Sequence, residues 1–139
     1  MNKLTLNQIK RKIEEAEALG ACDDDLYTLK SLKTLDEYVN HPDAPSWICW
    51  ICRKTKTRWK EAEDIIISSP EDAYYYASDV IKGRWKEGEE IILTSSDYAY
   101  QYSRDVIKGQ WKEAEDVFNK NKKWKKEYRK FLKTLIDYK

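Results

Sequence analysis

The chain has 139 residues, enough for one domain to bury a core, and its formal net charge is +1. No apolar stretch approaches the ~20 residues that cross a bilayer, and no signal-peptide pattern follows Met1, so we expect a cytoplasmic protein. Its odd number of cysteines, three, argues against a disulfide framework. With only four Gly and three Pro, and long stretches rich in Glu, Lys, Leu and Ala, the composition predicts an all-α fold.

Residues 1–42 are predicted to form a helical hairpin that caps the N-terminal end of a single domain. Apolar residues at spacings of three and four predict a first helix over residues 6–19, with Gly20 as its left-handed cap. Three aspartates at positions 23–25 should open a second helix, because carboxylates satisfy free amides at a helix start. The apolar spacing of that helix continues to Val39, before a His-Pro dipeptide.

Residues 43–120 carry an internal repeat. The segment 84–92, read Arg-Trp-Lys-Glu-Gly-Glu-Glu-Ile-Ile, has near-copies at 58–66 and 110–118, so the period is 26 residues. A fixed period in this range is typical of stacked helical repeats, and we expect a small α-solenoid in which residues 121–139 form a basic capping helix. The predicted short A helices cover about 58–68, 84–94 and 110–120, and the B helices about 44–56, 70–82, 96–108 and 122–137.

The helix boundaries recur with the same period. Strong N-cap residues precede the four B helices: Asp43, Ser69, Ser95 and Asn121. Gly83 and Gly109 are predicted to stop two of these helices in the left-handed conformation, whereas Thr57 in the first unit should make that turn less relaxed.

The repeat also predicts which side chains pack and which face water. In the A helices, Trp, a small residue and two larger apolar residues share one face: Trp59, Ala62, Ile65, Ile66; Trp85, Gly88, Ile91, Ile92; Trp111, Ala114, Val117, Phe118. The B-helix core stripe is Ala73, Tyr76, Ala77, Val80 and Ile81. Recurrent acids are interpreted as a solvated face, with surface pairs Lys60–Asp64, Lys86–Glu90 and Lys112–Asp116.

The pattern Cys49-x-x-Cys52 suggests a redox pair or half of a zinc site. The redox interpretation needs a neighbouring βαβ pattern, and a four-ligand zinc site would need Cys22 and His41 to converge on the pair. By the repeat register the two cysteines lie outside the core stripe, so we expect them to meet the N-terminal hairpin or solvent. With one histidine and no phosphate-binding glycine loop, the sequence predicts a non-enzymatic protein without metal or cofactor.

The remaining candidate for function is a surface that varies where the scaffold repeats. Opposite the B-helix core, successive units change identity at most positions, and such variation marks recognition surfaces in solenoids. The predicted protein-binding residues are Tyr75, Ser78, Lys82, Gln101, Arg104 and Lys108. Packing under a loop or a neighbouring unit is the alternative for Tyr75.

Charge supplies an alternative function. Residues 120–139 carry a net charge of +7 and the rest of the chain −6. A basic helix of this kind is most often solvated, but it also suits phosphate contacts with nucleic acid. The candidate nucleic-acid-binding residues are Lys122, Lys123, Lys125, Lys126, Arg129 and Lys130.

The segment from Ala73 to Glu89, and its partner beginning Ala99-Tyr100-Gln101-Tyr102, resembles a short helical repeat of bacteriophage-encoded and related bacterial proteins of unassigned function. The pattern there reads Ala-Tyr-x-Tyr-Ala-x-Asp-Val-Ile-Lys-Gly-Arg-Trp-x-Glu-Ala-Glu. This chain departs from it at Gly88 and Gln110. The resemblance covers about residues 57–118, brings no catalytic residue, and implies a viral origin.

Three functions therefore remain open. The first is inhibition of a host protein or ribonucleoprotein, such as a CRISPR or other defence nuclease complex, by steric blockade or nucleic-acid mimicry in the host cytoplasm. The second is direct nucleic-acid binding through the basic C-terminal helix. The third is a structural or assembly role, which predicts self-association.

Overall fold

A computed structural model describes residues 3–20 and 24–137, and within these ranges the chain is all-α, with no β-strand. The chain divides into two compact units, Met1–Ser68 and Ser69–Lys139. The helices of the first unit are α1 (Leu6–Ala18), α2 (Asp24–Ser31), α3 (Leu35–Val39), α4 (Ala44–Thr55) and α5 (Glu63–Ile66), the last preceded by a 3₁₀ turn (Lys60–Ala62).

Helix α1 begins and ends with defined caps. The Thr5 side chain accepts a hydrogen bond from the Gln8 amide at 3.2 Å, and the Gln8 side chain accepts from the Thr5 amide at 3.0 Å, which satisfies two free donors at the helix start. Gly20 follows the helix with φ of 91°, so its predicted left-handed role is confirmed. Ile9, Ile13 and Ala16 form the buried face.

The prediction of one continuous second helix to Val39 is wrong. The chain breaks after Ser31, and Thr34 caps a separate α3 by accepting from the Glu37 amide at 3.2 Å. The Tyr38 hydroxyl lies 2.5 Å from the Leu29 carbonyl oxygen and 3.1 Å from that of Leu32, and so satisfies the end of α2. The predicted capping role of Asp23, Asp24 and Asp25 lies outside the described residues and side chains.

Helix α4 is buried around more of its circumference than the core stripe predicted. Asp43 precedes it without a side-chain cap bond, because its φ of −92° and ψ of 3° are not the extended values of a capping residue. By the repeat register Trp47 and Trp50 correspond to the core positions Ala73 and Tyr76; Trp47 is buried as that register predicts, whereas Trp50 is half-buried. Its remaining buried residues are Ala44, Ile48, Cys49, Ile51 and Cys52.

The second unit alternates longer and shorter helical segments. They are α6 (Pro70–Tyr75), a π-helical segment (Tyr76–Ile81), α7 (Lys86–Ile92), α8 (Ser96–Tyr102), a second π-helical segment (Ser103–Ile107), α9 (Lys112–Asn119) and α10 (Lys122–Asp137). The predicted caps Ser69 and Ser95 each accept an amide hydrogen bond at 3.3 Å, and Asn121 accepts two, at 3.0 and 3.3 Å. Three of the four predicted N-cap bonds are thus present.

The helix ends differ from the prediction because two of the longer helices finish in π-helical segments. The left-handed residues are Lys82 (φ 61°) and Lys108 (φ 59°), not the glycines that follow them. The Lys82 amide donates to the Ala77 carbonyl at 2.8 Å, five residues back, so the wider turn reverses the chain one residue earlier than expected. Lys56 is also left-handed (φ 54°), so Thr57 does not occupy the strained position.

The wider turns also rotate the end of the predicted core stripe. Ala73, Tyr76 and Ala77 are fully buried as predicted, but Val80 and Ile81 are only half-buried. A π turn takes in more residues than an α turn, so the side chains after it no longer follow the 100° step on which the stripe was based.

The short helices follow the predicted packing pattern closely. Trp, the small residue and the last apolar residue are buried in all three copies: Trp59, Ala62, Ile66; Trp85, Gly88, Ile92; Trp111, Ala114, Phe118. The residue just before the last apolar residue of each copy is half-buried: Ile65, Ile91 and Val117. The Tyr76 and Trp85 rings lie 4.9 Å apart, as do those of Tyr102 and Trp111. The tryptophans therefore occupy the centre of the packing.

Gly88 lies so close to Trp85 that a Cβ atom added there would require the ring to shift. A Cβ atom added there would lie 2.5 Å from Trp85 Cε3, and the Trp85 ring is buried and cannot move freely. We expect Gly88→Ala to lower the free energy of unfolding by about 1–2 kcal/mol in urea denaturation, because overpacking outweighs the gain in helix propensity.

Gly83→Ala is the matched control. It has nothing within 4 Å of the added atom and should change stability by less than about 1 kcal/mol. Equal stability of the two variants would show that the Trp85 ring adapts without cost.

Candidate functional site

A group of hydrogen bonds among Arg84, Trp85, Glu89 and Tyr102, called a clip here, joins α7 to α8 in the second unit. The buried backbone N–H of Trp85 donates to the Tyr102 hydroxyl oxygen at 2.8 Å, and the Tyr102 O–H donates to Glu89 Oε2 at 2.7 Å. Arg84 donates twice to the same carboxylate, at 2.8 and 2.9 Å. Burial raises the Glu89 pKa, but the bonds from Arg84 and Tyr102 outweigh it and leave that pKa below its usual value.

The same contacts recur 26 residues later. The Trp111 N–H donates to the Tyr128 hydroxyl at 2.9 Å, and Tyr128 donates to Glu115 at 3.0 Å. Gln110, which stands where Arg84 stands in the first clip, donates to Glu115 at 2.9 Å. Burial, together with the hydrogen bond to Glu115, raises the pKa of Tyr128 to about 12. The two clips fix the tryptophans and explain why a glutamate recurs at this position.

The recurrent charges therefore do not form the predicted solvated pairs. The side chains of Glu63 and Glu89 are only 13% exposed, and each binds an arginine five residues before it. The pairs Lys60–Asp64, Lys86–Glu90 and Lys112–Asp116, all within the described residues, do not form. A glutamate that closes a clip is a structural group and not a candidate for acid–base chemistry.

Three tyrosines from α6 and α8 form an aromatic cluster at the surface of the second unit. The Tyr74 ring lies 5.1 Å from that of Tyr75 and 5.8 Å from that of Tyr98, and the Tyr75 and Tyr98 rings are 6.4 Å apart. Tyr74 is buried, whereas Tyr75 and Tyr98 are half-buried and keep part of each ring accessible. Two alternatives were predicted for Tyr75, an outward position and packing against a neighbouring unit. Its side chain is partly exposed, as the first predicts, and its ring contacts Tyr98 of the next repeat, as the second predicts.

An ion pair continues this cluster. The Tyr74 O–H donates to Asp105 Oδ2 at 2.6 Å, and Arg104 binds the same carboxylate through Nε at 2.7 Å and Nη2 at 2.8 Å. The bonds from Arg104 hold the pKa of Asp105 below its usual value, and burial raises the pKa of Tyr74. Arg104 also lies 5.5 Å from the Tyr100 ring centroid. Tyr74, Tyr75, Tyr98, Arg104 and Asp105 are called the tyrosine surface here.

The structure thus connects two of the six predicted protein-binding residues, Tyr75 and Arg104. Gln101 is half-buried and donates to Asp97 on its own helix at 3.1 Å. Ser78 is half-buried, and Lys82 and Lys108 are exposed ends of the π-helical segments. Of these four, Lys108 acts on the tyrosine surface through its charge, which adds to the stronger effect of Arg104 in lowering the pKa of Asp105.

Sequence reasoning missed the residues that hold the surface together. Tyr74 and Tyr98 were not assigned to either face. For Asp105 the sequence suggests a structural role, such as pairing with Arg84 or with a neighbouring unit, and its bond to Tyr74 of the preceding repeat agrees with the second alternative. The run of three tyrosines at 74–76 was the available signal. Only one of them fits the core stripe, so the others had to pack beside it or lie outside.

The six predicted nucleic-acid-binding residues lie on α10. Lys125 is half-buried, and Lys122, Lys123, Lys126, Arg129 and Lys130 are exposed. Lys130 lies 3.8 Å from Glu127, and Lys123 Nζ lies 4.5 Å from the centroid of the Trp124 ring. Tyr128 is buried on the opposite side, and Lys133 is exposed where the other units carry isoleucine.

The two cysteines of the Cys-x-x-Cys pattern are thiols outside any disulfide, and both are buried, each 1% exposed. Burial raises the pKa of Cys52 to about 12, so its reactive thiolate is scarce at neutral pH. Of the two predicted alternatives, contact with solvent is wrong, whereas contact with the N-terminal hairpin agrees with the packing of α1 against α4. Cys22, which a zinc site would need, lies outside the described residues.

Within the described residues no group of three or more His, Cys, Asp or Glu side chains has a metal-binding arrangement. Nor is any helix of that part of the chain long and apolar enough to cross a membrane. Comparison of the chain with protein-family models, curated proteins and solved structures finds no match.

Proposed function

We propose that this protein is a non-enzymatic binding module that recognises a partner protein through the tyrosine surface. The observation that carries the proposal is that the half-exposed Tyr75 and Tyr98 pack against the ring of Tyr74, while Asp105 binds both Tyr74 and Arg104 at 2.6–2.8 Å. Tyrosine and arginine are enriched among the residues that dominate binding energy. Side chains already fixed before association lose less conformational freedom when a partner docks.

We further propose that the scaffold is a small α-solenoid with a 26-residue unit. Three local features support this reading. Left-handed lysines occur at 56, 82 and 108; the glutamate bonds occur at 63, 89 and 115; and the tryptophan–tyrosine bonds begin at 85 and 111. In such an architecture the repeated residues hold the units together and the variable residues are available for recognition.

The proposed partner is a bacterial protein or ribonucleoprotein, as the resemblance to bacteriophage repeats implies, with a defence nuclease complex as one case. Its chemistry should complement the surface: an apolar or aromatic group against Tyr75 and Tyr98, and a carboxylate or backbone carbonyl near Arg104. A surface of this kind would act by occluding the partner's own binding site.

The test begins with capture of a partner from bacterial lysate on immobilised full-length protein, followed by titration of the purified partner. Tyr75→Ala and Arg104→Ala should each weaken binding by about 1–3 kcal/mol, or roughly 5- to 150-fold. Gln101→Ala tests the edge of the surface and should have a smaller effect.

Lys112→Ala is the matched control, because Lys112 is an exposed residue of α9, a helix that contributes no residue to the tyrosine surface. A captured partner whose affinity is unchanged in Tyr75→Ala and Arg104→Ala would contradict the proposal, as would capture of no protein. Concentration-dependent self-association in sedimentation, abolished by Tyr75→Ala, would instead favour the structural or assembly role.

A further inference from the structure

We propose that a groove in the first unit, with α1 on one side and α2, α3 and their connection on the other, binds a small carboxylate that carries an apolar group. The groove has a volume of about 310 Å³, at the lower end of the roughly 300–1,000 Å³ of ligand pockets. All of its lining residues belong to the first unit, whereas the tyrosine surface lies in the second. The inference therefore does not depend on the proposed protein partner.

The groove follows from the break between α2 and α3. The connection between the two helices is not helical, so it leaves space beside α1 that a continuous helix would fill. Tyr38 crosses this break, because its hydroxyl binds the carbonyls of Leu29 and Leu32. The Lys33 amide donates to Glu37 Oε2 at 2.9 Å and fixes the connection from the other end. One wall of the groove is therefore held by hydrogen bonds before any ligand binds.

The floor of the groove is apolar. Ile13 and Tyr38 line it and are only 4% and 5% exposed, and Leu32, which also lines it, is half-buried. Side chains so deeply packed keep one orientation, so an apolar group of a ligand would meet a preformed surface and little conformational freedom would be lost on binding. The floor accounts for the apolar part of the proposed ligand.

The rim of the groove is charged. Lys10 and Glu14 from α1, and Lys30 and Lys33 from the opposite wall, line it and are all exposed. Lys30 is bound to Glu17, so its charge is already compensated. Within the described part of the chain Lys10 and Lys33 form no ion pair. Two ammonium groups, one from each wall, are therefore available against the single carboxylate of Glu14.

A monocarboxylate fits this balance of charge better than other ligands. Two ammonium groups and one carboxylate leave one positive charge on the rim, which a single negative charge matches. A phosphate group with two negative charges would be repelled by Glu14, and a cation would be repelled by Lys10 and Lys33. Carboxylates joined to an apolar group occur in free amphipathic acids and at the end of a peptide chain whose last residue is apolar.

The experiment is a titration of the full-length protein at pH 7, followed through the NMR shifts of its backbone amides. Three probes share one apolar group and differ in charge: 3-phenylpropionate, its uncharged amide and 3-phenylpropylamine. We expect 3-phenylpropionate to bind roughly 2- to 30-fold more tightly than the amide, the effect of two exposed ion pairs, with the largest shifts in residues 10–14 and 30–38. Acetate, which lacks the apolar group, should bind at least about 10-fold more weakly.

Three variants separate the charged rim from the apolar floor. The double variant Lys10→Gln/Lys33→Gln should remove the advantage of 3-phenylpropionate over its amide and leave binding of the amide unchanged. Glu14→Gln should have the opposite effect and tighten binding of 3-phenylpropionate by up to about fivefold, because it removes a repulsive charge from the rim. Leu32→Ala should weaken 3-phenylpropionate and its amide by the same factor.

The matched control is the double variant Lys54→Gln/Lys60→Gln. It removes the same charge from the first unit at two exposed lysines that do not line the groove, and it should bind like the parent protein. Far-UV circular dichroism checks that each variant is folded. The tripeptide Ala-Ala-Phe and its C-terminal amide distinguish the two sources of the carboxylate. Tighter binding of the tripeptide acid than of 3-phenylpropionate assigns the end of a peptide chain, and the reverse order assigns a free acid.

Equal affinity for 3-phenylpropionate and its amide would overturn the proposal, since the lysines of the rim would then have no role in binding. Tighter binding of phenyl phosphate or of 3-phenylpropylamine would contradict the charge assigned to the ligand. The proposal would also be wrong if millimolar 3-phenylpropionate shifted no amide, or if the shifts centred on the tyrosine surface.

Discussion

Tyr102→Phe is expected to lower the free energy of unfolding by about 2–4 kcal/mol at pH 7. The substitution removes one oxygen and keeps the ring, so packing against Trp111 at 4.9 Å is preserved. It leaves the buried Trp85 N–H without an acceptor, which costs about 1–3 kcal/mol, and it removes a hydrogen bond to the charged Glu89. Urea denaturation followed by circular dichroism measures the change.

Tyr128→Phe should show a loss of similar size, because Tyr128 makes the equivalent bonds to Trp111 and Glu115. Tyr27→Phe is the matched control: Tyr27 is 81% exposed, and loss of its hydroxyl should change stability by less than about 0.5 kcal/mol. If all three variants were equally stable, the tyrosine hydroxyls would not hold the tryptophan segments, and the clips would have no energetic role.

Stability should fall steeply above pH 10. Burial and hydrogen bonding to carboxylates raise the pKa values of Tyr74, Tyr102 and Tyr128 above the ordinary value of 10.0, that of Tyr128 to about 12. A raised folded-state pKa means that the stabilisation is complete below pH 10 and is lost as the pH rises toward the folded-state pKa. For Tyr128 alone the loss by pH 12 is about 2–3 kcal/mol.

The pH dependence is measured from urea denaturation at several values between pH 8 and 12. Tyr128→Phe should be less stable than the parent at pH 8 but should lose less stability between pH 10 and 12, because it lacks one of the titrating groups. Tyr27→Phe should keep the full dependence. Parallel curves for the parent and Tyr128→Phe would show that the hydroxyl is not held in its protonated form by the fold.

Much of the packing could be predicted because it depends on residue size at a fixed spacing. Tryptophan, a small residue and a larger apolar residue recur together, and all three are buried in each copy. The break between α2 and α3 could not be predicted from apolar spacing, which continues across it. It is set by Thr34 as a cap and by the Tyr38 hydroxyl, which binds a carbonyl in the last turn of α2 and the carbonyl of Leu32 just after it.

The candidate site was only partly predictable for a related reason. The π-helical segments change the angle between successive side chains, so a face drawn with a regular α-helical step places Ser78, Lys82 and Lys108 on the same surface as Tyr75. In the folded protein the surface is organised by Tyr74 and Asp105, which lie 31 positions apart and meet through a hydrogen bond. The run of tyrosines at 74–76 indicates that some of them lie outside the core stripe, but it does not identify Asp105 as the partner of Tyr74.

The central claim is that repeated residues hold the fold while variable surface residues recognise the partner. The most direct test measures stability and partner affinity together for Tyr102→Phe, Arg104→Ala and Tyr75→Ala. We predict that Tyr102→Phe lowers stability but, while folded, binds the captured partner like the parent protein. Arg104→Ala and Tyr75→Ala should lose affinity at least fivefold, with stability changes below about 1 kcal/mol. The account would be contradicted if Tyr102→Phe, while folded, lowered the affinity for the partner and Arg104→Ala and Tyr75→Ala left it unchanged.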